Sequence, residues 1–599
     1  MGFYDAIRIG ASSAVDSTFT VDRSLRFNRS DSAYLTRSQS SPTNAKKATV
    51  STWLKRTDID TGNTFFEIGY QGTTNRCSIT LFDNIDGNKL GIFQRDSSGI
   101  VCNLSTTQVF RDPSAWYHIV IAFDTTQSTA ADRVKIYING TQVTDFDSSV
   151  YYSQNHDLTV GSGYNTNIGY YGAGSNYYGG YMAEVNFIDG QQLTPSSFAE
   201  TNSDTGQWNP KKYTGSYGTN GFYLNFSDNS GTTATTLGKD SSGNGNNFTP
   251  NNFSVSAGEG NDSLEDTPTN NFCTLNPLDV FGDGVAEEIK NGNLEAKNTS
   301  GSYRMTRSTF HFTTGKWYWE VKVLNAGSAT LIGVAGKDYA AGSGARRVYS
   351  TNGQKYTGSG SSYGASYTTN DIIGIALDLD NGTLTFYKNG SSQGVAFTDI
   401  LTAMVDGGWT PVFNGYGNSE GAFNFGQRAF DYTQPTGYKK LNSANLPDPT
   451  ILLPNQHFNT VLYSGDGNST KSITGVGFKS DWLWLKGRNT NYSHLLYDAV
   501  RGAGLEKGLN SNETRAEGSV VGDNSTFGYL NSFDSDGFSV TKGSDSTSYT
   551  NGGSSTYVAW NWNAGDTDGK TYTVKVVSDG GNKYRFDDFG TSAVTLDLA

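Results

Sequence analysis

The chain is poor in cysteine, in proline and in charge for its length of 599 residues. It has three cysteines, Cys77, Cys102 and Cys273, which are scattered and odd in number, so a disulfide framework is not expected. A polar chain without disulfides or a secretory signal indicates synthesis in a reducing cytoplasm. Charged residues make up 17% of the chain, which argues against long helices stabilised by side-chain ion pairs.

Other absences narrow the class of function. The net charge is -13, and neither a basic run nor a basic-aromatic stripe occurs, so the sequence predicts no nucleic-acid partner. No run of about 18 apolar residues is present, so no transmembrane helix and no membrane insertion are expected. The 5 histidines show no metal-ligand spacing with one another or with cysteine, and no phosphate-binding glycine loop is present.

What the chain does contain is a β-hairpin pattern that occurs twice. Residues 116–143 and 371–395 both place an alternating strand, an acidic turn and a second strand before an Asn-Gly pair. Asn139-Gly140 and Asn389-Gly390 supply the two positive-φ residues of a type I′ turn. With Tyr 35, Phe 33 and Gly 72, the pattern predicts an all-β, multidomain chain of consecutive antiparallel β-sandwiches (concanavalin A-like or jelly-roll) with very little helix.

The pattern divides the chain into six segments. We predict an N-terminal lead-in or attachment segment at 1–22, a first sandwich at 23–205, a Gly/Asn/Ser-rich transition with a strand at 206–268, a second sandwich at 269–445, a third β-rich domain at 446–566 and a strand-like tail at 567–599. The tail lacks room for a core, so it is either the start of a further domain or a set of strands that pair with another subunit. One short helix is expected after Leu193, with Thr194 as N-cap, Pro195 in the first turn and Phe198 pointing inward.

Five segments of the first predicted sandwich occur in the order and spacing of a known fold family. They are VSTWLKR at 50–56, FFEIG at 65–69, WYHIVIAFD at 116–124, VKIYINGTQV at 134–143 and YMAEVNFIDGQQLTPSSF at 181–198. These segments resemble a laminin-G-like domain of the concanavalin A-like lectin type. The resemblance implies a lectin-like β-sandwich.

The residues that follow carry two further resemblances. In the second sandwich, GKWYWEVKV at 315–323, LIGVAG at 331–336, DIIGIALDLDNGTLTFYKNG at 371–390, WTPVF at 409–413 and FNFG at 423–426 resemble a SPRY domain. In the third domain, the segments FNTVLYSGDG, ITGVGFKSDWLWLKGR, LLYDAVRGAG, SFDSDGFSV and YVAWNWNAG resemble a β-domain that follows SPRY-like modules in tail-associated proteins of marine bacteriophages.

Together the resemblances imply a non-enzymatic structural protein of a bacteriophage virion, such as a tail fiber or another host-attachment, receptor-binding component. The implied partners are other virion or tail subunits, a glycan or protein of the host cell surface, and identical chains in a homotrimer. The implied location is the phage tail or particle surface, after synthesis in the host cytoplasm. Two alternatives stay open: a polysaccharide-degrading enzyme of lectin-like fold, and a purely structural decoration or connector protein. The absence of the Glu-x-Asp-x-Glu cluster of concanavalin A-type glucanases argues against the enzyme.

The leading candidate for a binding surface is the tyrosine-rich segment 164–181. Its sequence, YNTNIGYYGAGSNYYGGY, interleaves tyrosine with glycine, asparagine and serine, which is the composition of adaptable recognition loops. We predict that the ligand contacts are made by Tyr164, Tyr170, Tyr171, Tyr177, Tyr178 and Tyr181. The alternative, that these rings fill a subunit contact or pack on the neighbouring segment, stays open.

Two further sets of residues carry predictions, one for ligand contact and one for packing. In the second sandwich, Arg346, Arg347 and Tyr363 fall between strands, where SPRY-like domains engage ligands, and we predict ligand contacts there. Six tryptophans fall on predicted strands in i, i+2 pairs, which place both rings of a pair on one face. For these we expect core packing or a sheet–sheet contact: Trp317, Trp319, Trp482, Trp484, Trp560 and Trp562.

No cofactor is expected, with one candidate exception. Some laminin-G-like domains hold a calcium ion at the rim of the sandwich through aspartate and carbonyl oxygens, the ligands that calcium prefers. The corresponding candidates for a structural calcium are the turn residues Asp58, Asp60, Asp83 and Asp86. Aspartate is also an ordinary turn former, so these residues have a purely conformational explanation as well.

Overall fold

A computed structural model describes residues 19–564, except 60–61, 82–86, 175, 203–204, 283–287, 337–345, 405–406, 448–450, 452 and 518–524, and also residues 577–578 and 584–585. The chain forms two compact units, Met1–Thr450 and Ile451–Ala599. The described residues are nearly all antiparallel β-structure, which confirms the predicted fold class. Their helical content is four 3₁₀ turns, Ala130–Asp132, Pro195–Ser197, Ser443–Asn445 and Pro454–Gln456, and none of these is long enough to cross a membrane.

The first sandwich consists of two large sheets and a small hairpin. Its strands are β1 (Ser24–Phe27), β2 (Tyr34–Ser38), β3 (Lys47–Arg56), β4 (Asn63–Gln71), β5 (Asn75–Leu81), β6 (Lys89–Asp96), β7 (Gly99–Val109), β8 (Trp116–Asp124), β9 (Val134–Ile138), β10 (Thr141–Gln142), β11 (Phe146–Val150), β12 (Asn165–Ile168), β13 (Gly180–Asp189), β14 (Ala199–Thr201), β15 (Trp208–Pro210), β16 (Phe222–Leu224), β17 (Thr249–Asn251) and β18 (Ser263–Leu264). One sheet runs in the order β10-β9-β8-β3-β13-β1-β18, with β16 also paired to β13. The other runs β11-β7-β6-β5-β4-β12-β2-β17.

The segment 206–268, predicted as a transition, supplies structure to the first sandwich. Strand β16 pairs with β13, β17 pairs with β2, and β18 pairs with β1. Phe222 and Phe248 are fully buried in the core between the two sheets. The Gly/Asn/Ser-rich composition therefore reflects tight turns between short strands rather than a spacer between domains.

The second sandwich is built from two seven-stranded sheets. Its strands are β19 (Leu275–Phe281), β20 (Glu288–Lys290), β21 (Glu295–Asn298), β22 (Arg304–Ser308), β23 (Lys316–Asn325), β24 (Ala329–Gly336), β25 (Arg346–Ser350), β26 (Gln354–Tyr356), β27 (Gly360–Ser362), β28 (Ile372–Asp378), β29 (Thr383–Lys388), β30 (Ser391–Phe397), β31 (Trp409–Tyr416) and β32 (Ser419–Asn424). The sheets run β19-β22-β31-β24-β25-β26-β27 and β20-β21-β32-β23-β28-β29-β30. Trp317 and Trp319 lie in the core between them, as the sequence predicted.

The two sandwiches share buried structure. Tyr181 and Leu264, which belong to the first sandwich by strand pairing, pack in the hydrophobic core of the second. The Tyr181 hydroxyl donates a hydrogen bond to the carbonyl of Gly292 at 2.6 Å. Lys55 on β3 is fully buried, and its Nζ lies 2.9 Å from the Asp266 carboxylate and 2.8 Å from the Asn271 amide oxygen. Residues up to Thr450 accordingly form one compact unit that contains both sandwiches.

The second unit holds a smaller sandwich. Its strands are β33 (Phe458–Ser464), β34 (Thr470–Thr474), β35 (Trp482–Gly487), β36 (Leu495–Asp498), β37 (Tyr529–Asp534), β38 (Gly537–Thr541), β39 (Thr556–Trp562), β40 (Val577–Ser578) and β41 (Tyr584–Arg585). One sheet runs β33-β39-β35-β36 and the other β34-β38-β37, while β40 pairs with β41. The core lies between the two larger sheets and contains Leu483, Leu485, Phe538 and Tyr557. Apart from β40 and β41, the predicted tail lies outside the described residues.

The repeated hairpin is present in both sandwiches. Asn139 and Gly140 have φ values of 47° and 83°, and Asn389 and Gly390 have 48° and 77°, as a type I′ turn requires. Each asparagine side chain also accepts a hydrogen bond, at 2.8 Å, from a backbone amide at the start of a neighbouring strand. The helix expected after Leu193 is a single 3₁₀ turn without a side-chain cap, although Phe198 is buried as predicted.

Candidate functional site

Five tyrosines meet on the face of the second sheet of the first sandwich that points away from its core. Tyr170 and Tyr177 stack with ring centroids 4.9 Å apart, and Tyr34 on β2 lies 4.8 Å from Tyr170. Tyr70 on β4 packs directly beneath the loop that joins Tyr170 to Tyr177, and Tyr171 extends from that loop. All five rings are partly exposed. We call this set, Tyr34, Tyr70, Tyr170, Tyr171 and Tyr177, the tyrosine platform.

Glycine at position 172 permits the close packing of the loop on the sheet. A Cβ atom there would lie 2.7 Å from the Tyr70 ring. The amide of Gly172 donates a hydrogen bond to the Glu67 carboxylate at 3.1 Å, and Asn167 donates to the same oxygen at 2.6 Å. Ser78 donates to the other carboxylate oxygen at 3.4 Å. The Glu67 side chain therefore fastens the loop to the sheet.

Glu67 is a fully buried carboxyl group beneath an aromatic surface. Burial disfavours its charged form and raises its pKa to about 7, while the hydrogen bonds from Asn167, Gly172 and Ser78 and the charge of Arg76 act in the opposite direction. The group thus changes its charge near neutral pH, in contact with the loop that carries the platform.

Two arginines border the platform. Arg76 on β5 lies 5.2 Å from the Tyr171 ring and 5.7 Å from the Phe93 ring, measured from the guanidinium carbon to each centroid. Arg95 on β6 stands directly opposite Arg76 in the strand pairing, so the two side chains leave the same face of the sheet. The face combines flat aromatic rings, hydroxyl groups and cationic donors, which are the groups that recognise polar, hydroxyl-rich ligands.

Three of the predicted tyrosines occupy other positions. Tyr178 and Tyr181 are fully buried, and the Tyr178 hydroxyl donates to the Lys55 carbonyl at 3.0 Å. Burial raises the pKa of both phenols far above the ordinary value. Their assignment to a ligand surface is corrected here, because these rings fill cores. Tyr164 is half-buried just before β12, where its carbonyl accepts from the Gln39 amide at 2.9 Å.

The predicted contacts in the second sandwich are mostly structural. Arg347 is buried and forms two hydrogen bonds with the Asp399 carboxylate, at 2.9 and 2.6 Å, so its assignment to a ligand surface is also corrected. Tyr363 is half-buried, and its hydroxyl donates to the Gly394 carbonyl at 2.5 Å. Burial raises the pKa of Tyr363 to about 12. Arg346 is half-buried and donates to the Thr357 carbonyl at 3.3 Å.

The tryptophans of the second unit lie on an outer sheet face. Trp482 and Trp562 face each other across β35 and β39, with centroids 4.3 Å apart, and Trp484 and Trp560 do so at 5.4 Å. All four rings are partly exposed, because the alternate residues of these strands point into the core. Core packing is therefore wrong for these four residues and correct for Trp317 and Trp319, while a sheet–sheet contact of the four stays a prediction.

One of the four predicted calcium ligands, Asp58, lies in the described part of the chain. Asp60, Asp83 and Asp86 lie outside it, whereas the Asp58 carboxylate pairs with the Arg29 guanidinium at 2.6 Å. Within the described part of the chain, no three histidine, cysteine, aspartate or glutamate side chains are grouped as metal ligands.

The sequence analysis found three of the platform tyrosines and missed the rest of the site. Tyr34, Glu67, Arg76 and Arg95 lie on four different strands, and only the strand register places them beside the predicted loop. Glu67 was contained in the FFEIG segment but carried no signal by itself, since a lone strand glutamate is usually solvated. The usable signal is that Glu67 interrupts an otherwise apolar run.

Comparison with known families assigns three parts of the chain. Residues 28–199 match the concanavalin A-like lectin/glucanases superfamily, and residues 316–428 match the SPRY domain. Residues 453–582 match a domain of unknown function, DUF7483. A concanavalin A-like domain and a SPRY domain are therefore both present, at the positions that the sequence segments indicated.

Several individual proteins are similar over part of the chain. Ran-binding protein 9 of Danio rerio is 33% identical over 98 residues, which are 14% of this chain and 16% of that protein. The E3 ubiquitin-protein ligase RKP of Arabidopsis thaliana is 31% identical over 142 residues, 22% of this chain and 11% of that protein. The chain thus spans about a sixth or less of the length of these curated relatives.

Solved structures give partial matches of low overall similarity. The SPRY domain of human HERC1 is 20% identical with a TM-score of 0.22, and the match covers 26% of this chain and 99% of that one. A carbohydrate-binding protein of Bacteroides ovatus, described as putative in its name, is 16% identical with a TM-score of 0.26. The match covers 39% of this chain and 59% of that one.

Proposed function

We propose that this chain is a non-enzymatic attachment protein that binds cell-surface glycans through the tyrosine platform of its concanavalin A-like domain. The observation that carries the proposal is the aromatic face itself: five partly exposed tyrosine rings on one sheet face, with the loop that carries three of them hydrogen-bonded to Glu67 through Gly172. Sugar rings stack their apolar faces on such rings, while phenol hydroxyls hydrogen-bond the sugar hydroxyls.

The contacts of Glu67 favour binding over hydrolysis. Glycoside hydrolases generally use two carboxyl groups about 5–10 Å apart, one as acid and one as nucleophile or base. The charge of Arg76 acts on Glu67, and the carboxyl oxygens of Glu67 accept hydrogen bonds from Asn167, Gly172 and Ser78. We accordingly assign Glu67 a positioning role.

The biological setting that we propose is the tail or surface of a bacteriophage particle, made in the host cytoplasm. The proposal rests on the resemblance of segments in the third domain to tail-associated phage proteins. A SPRY domain and a concanavalin A-like domain in one compact unit also suit an exposed attachment protein, since both offer loops on rigid scaffolds. The partners in this setting are neighbouring virion subunits and a host-surface glycan or protein.

We expect replacement of the stacked pair Tyr170 and Tyr177 by serine to weaken glycan binding without unfolding the protein. Loss of well-packed contact aromatics costs about 1–2 kcal/mol each, which corresponds to roughly tenfold or more in affinity. Binding of the full chain to immobilised laminarin, dextran and polygalacturonate, and its adsorption to host cells, would measure the effect. Tyr303→Ser, which alters an exposed tyrosine of the second sandwich, is the matched control.

Three results would contradict this proposal. If the melting temperature of the double variant fell much further than that of Tyr303→Ser, the two rings would have a structural role. Unchanged binding at unchanged stability would remove the platform from the contact surface. Release of new reducing ends from any of the three polysaccharides by the wild-type chain would favour the glycan-degrading alternative.

We also expect the chain to assemble as a homotrimer. Attachment proteins gain from several identical sites, and oligomers of identical chains close by symmetry. Light scattering of the full chain at micromolar concentration should give the mass of three chains. A stable mass of one chain would contradict the assembly, and a mass of two would replace the trimer by a dimer.

A further inference from the structure

We propose that Arg76 and Arg95 make the tyrosine platform selective for anionic saccharides. The proposal rests on the proposed glycan-binding function and names the chemical class of its ligand. The planar guanidinium group of arginine matches the geometry of a carboxylate or sulfate group and can donate two parallel hydrogen bonds to it.

The first argument is the placement of the two charges. Arg76 and Arg95 are direct partners across the β5–β6 ladder, and like charges in that position repel each other. Asp96 follows Arg95 in the sequence. Its carboxylate oxygen Oδ2 lies 3.4 Å from His156 Nε2, so Asp96 is directed to the histidine rather than to the arginines. Among the described residues, no salt bridge joins either arginine to an acidic group, and the Glu67 carboxyl group, on which the charge of Arg76 acts, is buried. A bound anion would relieve the repulsion.

The second argument is the way in which Arg76 is held. The carbon of its guanidinium lies 5.2 Å from the centroid of the Tyr171 ring and 5.7 Å from that of the Phe93 ring, and the group donates a hydrogen bond to the Thr73 carbonyl. These contacts fix the orientation of the group, so little conformational entropy is lost when it pairs with a ligand. Tyr171 belongs to the tyrosine platform, and therefore a sugar stacked there would bring its acidic substituent close to Arg76.

The third argument is the charge of the whole chain. The net charge is -13, so an anionic polymer is repelled by most of the surface. Exposed charges beyond about 10 Å are largely screened at 0.1 M salt, which leaves a local cationic pair able to select an anionic ligand. In this acidic chain, a cross-strand arginine pair beside the tyrosine platform therefore indicates an anionic ligand. In a basic protein the same pair would not distinguish an anionic ligand from a neutral one.

The test compares two forms of one polymer. Polygalacturonate carries a carboxylate on each sugar, and its methyl ester has the same backbone without the charge. We expect the full wild-type chain to bind polygalacturonate about tenfold or more tightly than the ester, with a preference that falls as salt is raised. Arg76→Gln and Arg95→Gln should each remove most of the preference, by weakening the binding of polygalacturonate far more than the binding of the ester.

Control variants separate selectivity from general charge and from folding. Arg111→Gln removes one positive charge from an exposed position of the same sandwich and should leave the preference intact. Arg95 is exposed, so Arg95→Gln remains informative even if Arg76→Gln lowers the melting temperature. Dextran sulfate against dextran repeats the comparison with sulfate as the anion and shows which acidic group the site prefers.

Distinct outcomes would overturn the inference and the proposed function. Equal binding of both polymers by the wild-type chain, with both weakened by Tyr170→Ser and Tyr177→Ser, would refute the anionic preference and keep glycan binding. An equal loss of the preference for polygalacturonate in Arg95→Gln and in Arg111→Gln would also refute the anionic preference. Absence of binding to every polymer tested would refute the proposed function and the inference with it.

Discussion

Lys55→Met should lower the free energy of unfolding of the first compact unit by about 3–5 kcal/mol, the largest effect that we expect from a single substitution. Lys55 and Asp266 are 0% and 1% exposed in their side chains, and their charged atoms are 2.9 Å apart. Methionine keeps the length of the side chain but leaves the Asp266 carboxylate buried without its cation. Trp116 Nε1, at 3.0 Å, would remain as a hydrogen-bond donor to that carboxylate.

Denaturant titration of the full chain measures this effect, and two further variants calibrate it. Lys211→Met breaks the exposed pair with Glu200, whose side chains are 45% and 57% exposed, and should cost less than about 1 kcal/mol. The double variant Lys55→Met with Asp266→Asn removes both charges, so it should recover part of the loss. If Lys55→Met were no more destabilising than Lys211→Met, the ion pair would not hold the two sandwiches together.

The second large effect that we expect is a dependence of stability on pH between 5 and 8. The folded-state pKa of Glu67 is raised from 4.5 to about 7, chiefly by burial. Folding therefore favours the protonated form, and stability falls as pH rises through this window, because the unfolded state releases the proton first. The contribution of Glu67 to this loss is about 2–3 kcal/mol. Glu184, whose pKa burial also raises to about 7, acts in the same direction.

Melting of the wild type and of Glu67→Gln at pH 5, 6, 7 and 8 isolates the contribution of Glu67. As pH rises, the wild type should lose more stability than the glutamine variant, because glutamine has no proton to release. Glu200→Gln, which alters an exposed glutamate of the same sandwich, should show the wild-type profile. A glutamine variant whose profile runs parallel to that of the wild type would show that Glu67 titrates at its ordinary pKa.

The fold class was predictable because its signals are local. Alternation of apolar residues and the two Asn-Gly turns specify antiparallel hairpins within a few residues, and the strands around Trp116–Asp124 and Ile372–Asp378 follow this pattern. The role of segment 206–268 was not predictable, because three of its described strands, β16, β17 and β18, are two or three residues long and pair with strands far away in sequence.

The candidate site was predictable only in part, for the same physical reason. The loop that carries Tyr170, Tyr171 and Tyr177 was found by composition, which is local. The sequence could not separate these rings from Tyr178 and Tyr181, since one residue of register decides which face a strand side chain occupies. Arg347 was misassigned because its partner Asp399 lies 52 positions away.

The shared core of the two sandwiches limits how this chain can be recombined. A crossover at the end of the concanavalin A-like segment, near residue 268, would separate Lys55 from Asn271 and Tyr181 from Gly292, and both contacts are buried. A crossover near residue 450 falls at the boundary of the two compact units and cuts neither contact. Chimeras that exchange residues up to 450 as one cassette should therefore fold, whereas those that exchange only the first sandwich inherit mismatched halves of one core.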